Sequence, residues 1–85
     1  PGNPVALSAA EVSMLVAFAR APGQRMAYWQ VAEALNLDPA TYAKASLEVR
    51  VVRLRKKLLQ AGAPARCIES IRGEGYQLCV ALTLL

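Results

Sequence analysis

Six of the ten Lys and Arg side chains of this 85-residue chain lie in residues 44–58, KASLEVRVVRLRKKL, whose only acid is Glu48. That segment carries a net charge of +5, and the remaining residues together carry −1. Such a concentrated excess of ammonium and guanidinium groups indicates a surface that meets a polyanion, rather than a diffuse solubilising coat. The chemistry expected here is the binding of an anionic partner, either nucleic acid or an acidic membrane surface.

Other kinds of site have few candidate residues. The chain has no His, which removes His-based triads, His metal ligands and the usual general base. Its two cysteines, Cys67 and Cys79, lack CxxC spacing. A disulfide across a hairpin stays open for them, but two reduced, half-buried thiols in a cytoplasmic protein are the favoured interpretation. We therefore expect no metal, no cofactor and no enzymatic activity.

The basic segment must be positioned by the rest of a chain whose length fits one domain. Apolar periodicity predicts helices at about residues 8–21, 28–36 and 43–60. Two short strands around Gly73-Glu74 predict a β-hairpin over residues 67–80. No apolar run approaches the roughly 18 residues of a membrane-spanning helix, so no segment is expected to cross a membrane. Of the two anionic partners, nucleic acid is the expected one, and no membrane partner is expected.

The first predicted helix has a strong start signal and a strong stop signal. Ser8 and Glu11 have capping-box spacing, and Pro22-Gly23 should end the helix. With Met14 and Phe18 the helix is apolar around most of its circumference, so it should be central. The residues at helical spacing on this segment are Val12, Leu15, Val16 and Ala19.

The third predicted helix divides into two faces. An apolar seam, expected to face the core, consists of Leu47, Val51, Leu54 and Leu58. The opposite side carries Val49, Arg53 and Lys56, an arrangement that suits a helix lying in a DNA major groove. An ordinary solvated basic face is the alternative. The apolar Val49 and Val52 could contact the methyl groups of thymine, or Val52 could pack against the second helix.

Two strings resemble motifs of the OmpR/PhoB family of bacterial winged-helix response regulators. They are RLRKKL at residues 53–58 and IESIRGEGY at residues 68–76. The LSAAE string at residues 7–11 looks like that family's first helix start, and APG at residues 21–23 like its helix break. The resemblance covers residues 5–80. It implies an α+β winged helix-turn-helix, with three helices plus a C-terminal β-hairpin wing.

The resemblance also implies a function in a two-component system: a cytoplasmic transcription regulator, nucleoid-associated when bound, that binds double-stranded DNA. Residues 44–60 would be the recognition helix and residues 67–80 the wing. Val49, Arg53 and Glu48 would contact bases. The backbone contacts would come from Lys44, Ser46, Arg50, Arg55, Lys56 and Lys57. Arg72, at the wing turn, would approach the minor groove, where narrow A·T-rich segments attract arginine.

Several positions depart from the family pattern. Ala45 replaces a phosphate-contacting arginine, Ala27-Tyr28 replaces Ser-Arg, Arg50 replaces a histidine, and Gln77 stands where a basic residue is frequent. The family's N-terminal sheet has no counterpart, because residues 1–5 are too short for it, and we expect it to be absent or truncated. Because of these departures we do not expect the family's familiar target sequences, but we still expect DNA binding.

Further partners are implied by relatives. Loop 36–43 corresponds to a segment that touches RNA polymerase in some of them, with Asp38 and Tyr42 as the exposed candidates; a plain connecting loop is the alternative. Relatives bind direct repeats as head-to-tail pairs. A different class of function is a winged-helix interaction module that docks on an acidic protein, which the apolar Val49 and Val52 and the lost cations would suit.

Overall fold

The computed structural model describes residues 5–80 and contains three helices and a three-stranded antiparallel sheet. In chain order the elements are α1 (Ala9–Arg20), β1 (Arg25–Ala27), α2 (Tyr28–Ala34), α3 (Lys44–Gln60), β2 (Ile68–Ile71) and β3 (Gly75–Leu78). A 3₁₀ turn, Pro22–Gln24, links α1 to β1. The predicted α+β class, with three helices and a C-terminal hairpin, is confirmed. The expectation about the missing N-terminal sheet concerns residues that lie almost wholly outside the described range.

Hydrogen bonds from nearby residues determine where α1 begins and where α3 ends. Ser8 Oγ accepts the Glu11 N–H at 3.2 Å, and the Glu11 carboxylate accepts the Ser8 N–H at 2.7 Å, which is the predicted capping box. At the end of α3, Gly62 takes a φ of +100° and the Ala63 N–H donates to the Leu58 carbonyl at 2.9 Å. This Schellman motif satisfies carbonyls that the helix leaves unpaired.

Helix α2 is shorter than the range expected for it and ends at Ala34. Asn36 adopts a φ of +59°, and the Leu37 N–H donates to the Ala32 carbonyl at 2.8 Å, so the chain leaves the helix there. At its start the N-cap residue is Ala27, which offers no side-chain acceptor. Gln30 compensates in part, since its Oε1 accepts the Ala27 N–H at 2.7 Å.

The buried side of α1 differs from the periodicity noted in the sequence. Val12 is 46% exposed, and the buried residues of the helix are Glu11, Met14, Leu15 and Phe18. Apolar side chains surround most of this helix, so spacing alone did not determine which side faces inward. The large Met14 and Phe18 side chains bury more apolar surface than valine and alanine, which favours the observed orientation.

The strand β1 has no counterpart among the predicted strands. It pairs antiparallel with β3, so that β3 lies between β1 and β2. The Gln24 amide reinforces this edge by donating to the carbonyls of Leu78 and Val80, both at 2.9 Å. Three residues between a helix break and a helix are too few to show strand alternation. Pairing with the hairpin, which is a tertiary contact, is what makes this segment a strand.

The core lies between α1, α3 and the sheet. Its fully buried members include Phe18, Met14, Leu47, Leu54, Ile68 and Leu78. Tyr76 and Leu78 are buried, and the Tyr76 ring meets the Tyr28 ring edge-on at a centroid distance of 5.7 Å. Both cysteines are free thiols, Cys67 buried and Cys79 exposed. Within residues 5–80, no helix is long and apolar enough to cross a membrane.

Candidate nucleic-acid interface

The apolar seam predicted for α3 holds this helix against the core. Leu47, Val51 and Leu54 are buried, and Leu58 is half-buried against the same cluster. Because these positions recur at helical spacing, the opposite side of α3 must face outward. The orientation predicted from the sequence is therefore the one observed.

The outward face of α3 presents side chains of the kinds needed to meet a duplex. Every residue on it is exposed: Lys44, Ala45, Ser46, Glu48, Val49, Arg50, Val52, Arg53 and Lys56. Val49 is 49% and Val52 40% exposed, so Val52 is not buried beneath the second helix. Along the helix, Arg53 lies between Arg50, three positions before it, and Lys56, three positions after it. The site residues predicted for this face thus share one surface.

Two other basic side chains of α3 have partners inside the protein. Arg55 Nε donates to the Ile68 carbonyl at 3.0 Å, where strand β2 begins. Lys57 Nζ donates to Glu11 Oε1 at 2.7 Å and to the Ala6 carbonyl at 3.2 Å. Both residues were expected on DNA phosphates, and the donors used here are no longer free. Their contact with phosphate stays a prediction that would depend on their remaining N–H groups.

The ionisable residue Glu11 is buried, with 7% of the residue exposed. Burial alone would raise the pKa of Glu11, but hydrogen bonds from Lys57 and Ser8 and the positive charge of Lys57 lower it, and the net pKa is below its ordinary value. Glu11 is therefore ionised near neutral pH and offsets the charge of Lys57. No local pattern could have paired these two residues, which are 46 positions apart.

The first turn of α3 lies beside the wing. Lys44 Nζ sits 4.4 Å from the centroid of the Tyr28 ring, a cation–π contact. The Tyr28 N–H in turn donates to the Glu74 carbonyl of the wing turn at 3.0 Å. Tyr28, which stands where the resemblance implies a lost cation, thus holds another cation at the start of α3. This connection was not expected from the sequence.

The wing turn leaves its arginine in solvent. The Glu74 N–H donates to the Ile71 carbonyl at 2.9 Å, and Gly73 takes a φ of +74°, a conformation that favours glycine. Arg72 is exposed at the tip. The contact of Tyr28 with Glu74 places this tip on the same side of the molecule as the start of α3.

Loop 36–43 offers a smaller exposed site than expected. The Asp38 carboxylate accepts the Ala40 N–H at 2.8 Å, and the Asp38 carbonyl accepts the Tyr42 N–H at 3.0 Å. Asp38 is exposed, whereas Tyr42 is half-buried against the core. The expectation that both side chains are exposed is therefore correct only for Asp38.

The described residues contain no group of three or more His, Cys, Asp and Glu side chains that could hold a metal ion. A protein-family model described as "Transcriptional regulatory protein, C terminal" matches residues 2–78 of the chain. Neither the curated proteins nor the solved structures with which the chain was compared gave a match.

Proposed function

This chain belongs to the OmpR/PhoB-type family of C-terminal DNA-binding domains of transcription regulators, and we propose that it binds a specific double-stranded DNA sequence through α3. The observation that carries this proposal is the outward face of α3, which is exposed along its length and holds Arg50, Arg53 and Lys56. A helix fits the major groove of B-DNA, where each base pair presents a distinct pattern of donors and acceptors.

Residues at the centre of that face would contact the bases. Arg53 can donate two hydrogen bonds to guanine O6 and N7, which is the commonest specific contact between arginine and a base. Glu48 can accept from the N4 amino group of cytosine, and Val49 can contact the methyl group of thymine. These three residues would therefore set sequence preference.

Contacts to the DNA backbone would position the helix. Exposed donors for phosphate oxygens are Lys44, Ser46, Arg50 and Lys56. Arg55 and Lys57 would contribute less, because each already donates to a group within the protein. Arg72, at the exposed wing tip, would reach the adjacent minor groove, most favourably where an A·T-rich segment narrows it.

Two variants separate base recognition from backbone binding. Sites are first selected from a random duplex library, and the affinities of a selected and a scrambled duplex are then compared. Arg53→Ala should cost about 1–3 kcal/mol on the selected duplex and relax the base preference, whereas Lys56→Ala should weaken both duplexes alike. If both variants weaken the two duplexes to the same extent, the proposed division of roles is wrong.

A second candidate function is the docking of α3 on an acidic protein surface, which the exposed Val49 and Val52 favour. Chemical-shift mapping with a duplex distinguishes the two functions. Perturbations in residues 44–58 and 72–75 support DNA binding, and perturbations confined elsewhere support a protein partner.

Head-to-tail pairing on direct repeats and a contact of RNA polymerase with Asp38 are proposals that rest on the family alone.

A further inference from the structure

Two exposed valines lie side by side on the outward face of α3. Val49 and Val52 are three positions apart, a spacing that puts their Cβ atoms about 5–6 Å apart on one helix face. They line a shallow depression together with Ala45, Glu48, Arg53 and Lys56. The methyl side chain of Ala45, one turn before Val49, leaves room above the two valines.

Single exposed apolar residues are normal on any protein surface and need no partner. What distinguishes this pair is its position one turn before Arg53 and Lys56, in the same depression on the face that carries the cations. A partner that matches both features is anionic and presents small apolar groups to the helix, and in the proposed DNA target these groups would lie in the major groove, which admits a helix. The C5-methyl groups of thymine are the apolar groups that duplex DNA displays in its major groove.

We infer that Val49 and Val52 together bind the methyl groups of two neighbouring thymines, and that the DNA target contains these thymines at adjacent positions. Successive nucleotides of one strand rise by about 3.4 Å along the helix axis, so two side chains about 5–6 Å apart can reach neighbouring steps. The inference rests on the proposed DNA binding and extends it. It adds Val52 as a specificity-determining residue beside Val49, Arg53 and Glu48.

Deoxyuridine tests this inference, because it differs from thymidine only by lacking that methyl group. A duplex selected from a random library is remade with each thymidine replaced in turn by deoxyuridine, and the affinity of each duplex is measured. Replacement at two adjacent positions should weaken binding roughly four-fold each, because the burial of one methyl group is lost at each position. Replacement elsewhere should leave the affinity unchanged.

Valine variants assign each methyl group to its side chain. Val52→Ala should abolish the loss at one of the two positions, and Val49→Ala the loss at the other. Val12→Ala is the matched control, since Val12 lies on α1 and is exposed to a similar extent, 46%. This control variant should retain the full sensitivity to deoxyuridine at both positions.

The outcomes that overturn the inference are distinct from those that overturn DNA binding. A selected duplex that is bound specifically, yet loses less than about two-fold at every deoxyuridine position, contradicts the methyl contacts alone. If deoxyuridine still weakens binding after both valines are replaced by alanine, the methyl contacts are contradicted and DNA binding is not. Failure of the protein to bind any duplex contradicts both the methyl contacts and the proposed function.

Discussion

Lys57 Nζ lies 2.7 Å from Glu11 Oε1 and joins the last turns of α3 to the first turn of α1. The same carboxylate oxygen accepts the Ser8 N–H at 2.7 Å, so one buried acid serves both as a helix cap and as an ion-pair partner. The Glu11 side chain is 10% exposed and the Lys57 side chain 35% exposed. This contact joins the C-terminal half of α3 to the first turn of α1, in addition to the packing of the apolar seam.

Lys57→Met should lower the free energy of unfolding by about 1–2 kcal/mol, because Glu11 would keep its buried charge without its cation. Lys56→Met is the matched control. Lys56 is exposed one position earlier on the same helix, and its replacement should change stability by less than about 0.5 kcal/mol. Urea unfolding near neutral pH measures both values, and equal losses from the two variants would argue against a stabilising role for the pair.

The lowered pKa of Glu11 predicts a stability that depends on pH. A carboxyl group with a lower pKa in the folded state stabilises the protein above its unfolded pKa, and that stability is lost as pH falls through the folded pKa. The ordinary pKa is 4.5, so the loss begins near that pH and continues below it. The difference in unfolding free energy between the wild type and Glu11→Gln should therefore be largest near neutral pH and shrink on acidification. A difference that does not change with pH would show that Glu11 stabilises the fold without its charge.

Gly75→Ala should destabilise the sheet severely. Gly75 pairs with Ala27 of β1 and Ile71 of β2, and a Cβ there would lie 2.0 Å from the Met26 carbonyl oxygen. Backbone atoms of a paired strand cannot move aside cheaply, so we expect a cost above about 2 kcal/mol.

Gly73→Ala provides the comparison for that variant. A Cβ at Gly73 meets no atom within 4 Å, although its φ of +74° disfavours other residues. The cost there should be about 1 kcal/mol, measurable as a shift in the urea midpoint. A larger loss from Gly73→Ala than from Gly75→Ala would contradict the packing described for the central strand.

Elements with local signals could be predicted from the sequence. The capping box of Ser8 and Glu11, the glycine stop at Gly62 and the seam of α3 all depend on residues within a few positions of one another. Strand β1 could not be predicted, because three residues become a strand only through pairing with β3. The buried side of α1 could not be identified either, since apolar residues surround most of that helix.

The features of the candidate site also divide into those that local sequence predicts and those that depend on tertiary contacts. The outward direction of Val49 and Arg53 follows from helical geometry once the seam is known, and the structure places both on the exposed face. The bonds of Lys57 to Glu11 and of Arg55 to the Ile68 carbonyl join segments that are distant in sequence. Such partners depend on the tertiary fold, so neither the helical periodicity nor the resemblance indicated that Arg55 and Lys57 have partners inside the protein.

The salt dependence of duplex binding is the sharpest test of whether α3 and the wing bind DNA through their cations. If the exposed cations of α3 and the wing neutralise roughly four to six phosphates, the logarithm of the association constant should fall against the logarithm of salt concentration with a slope of about −4 to −5. The measurement is a titration of a labelled duplex at several salt concentrations, with selected and scrambled sequences compared. A slope near zero on both duplexes would rule out DNA binding through these cations, because no phosphate contacts would then be forming.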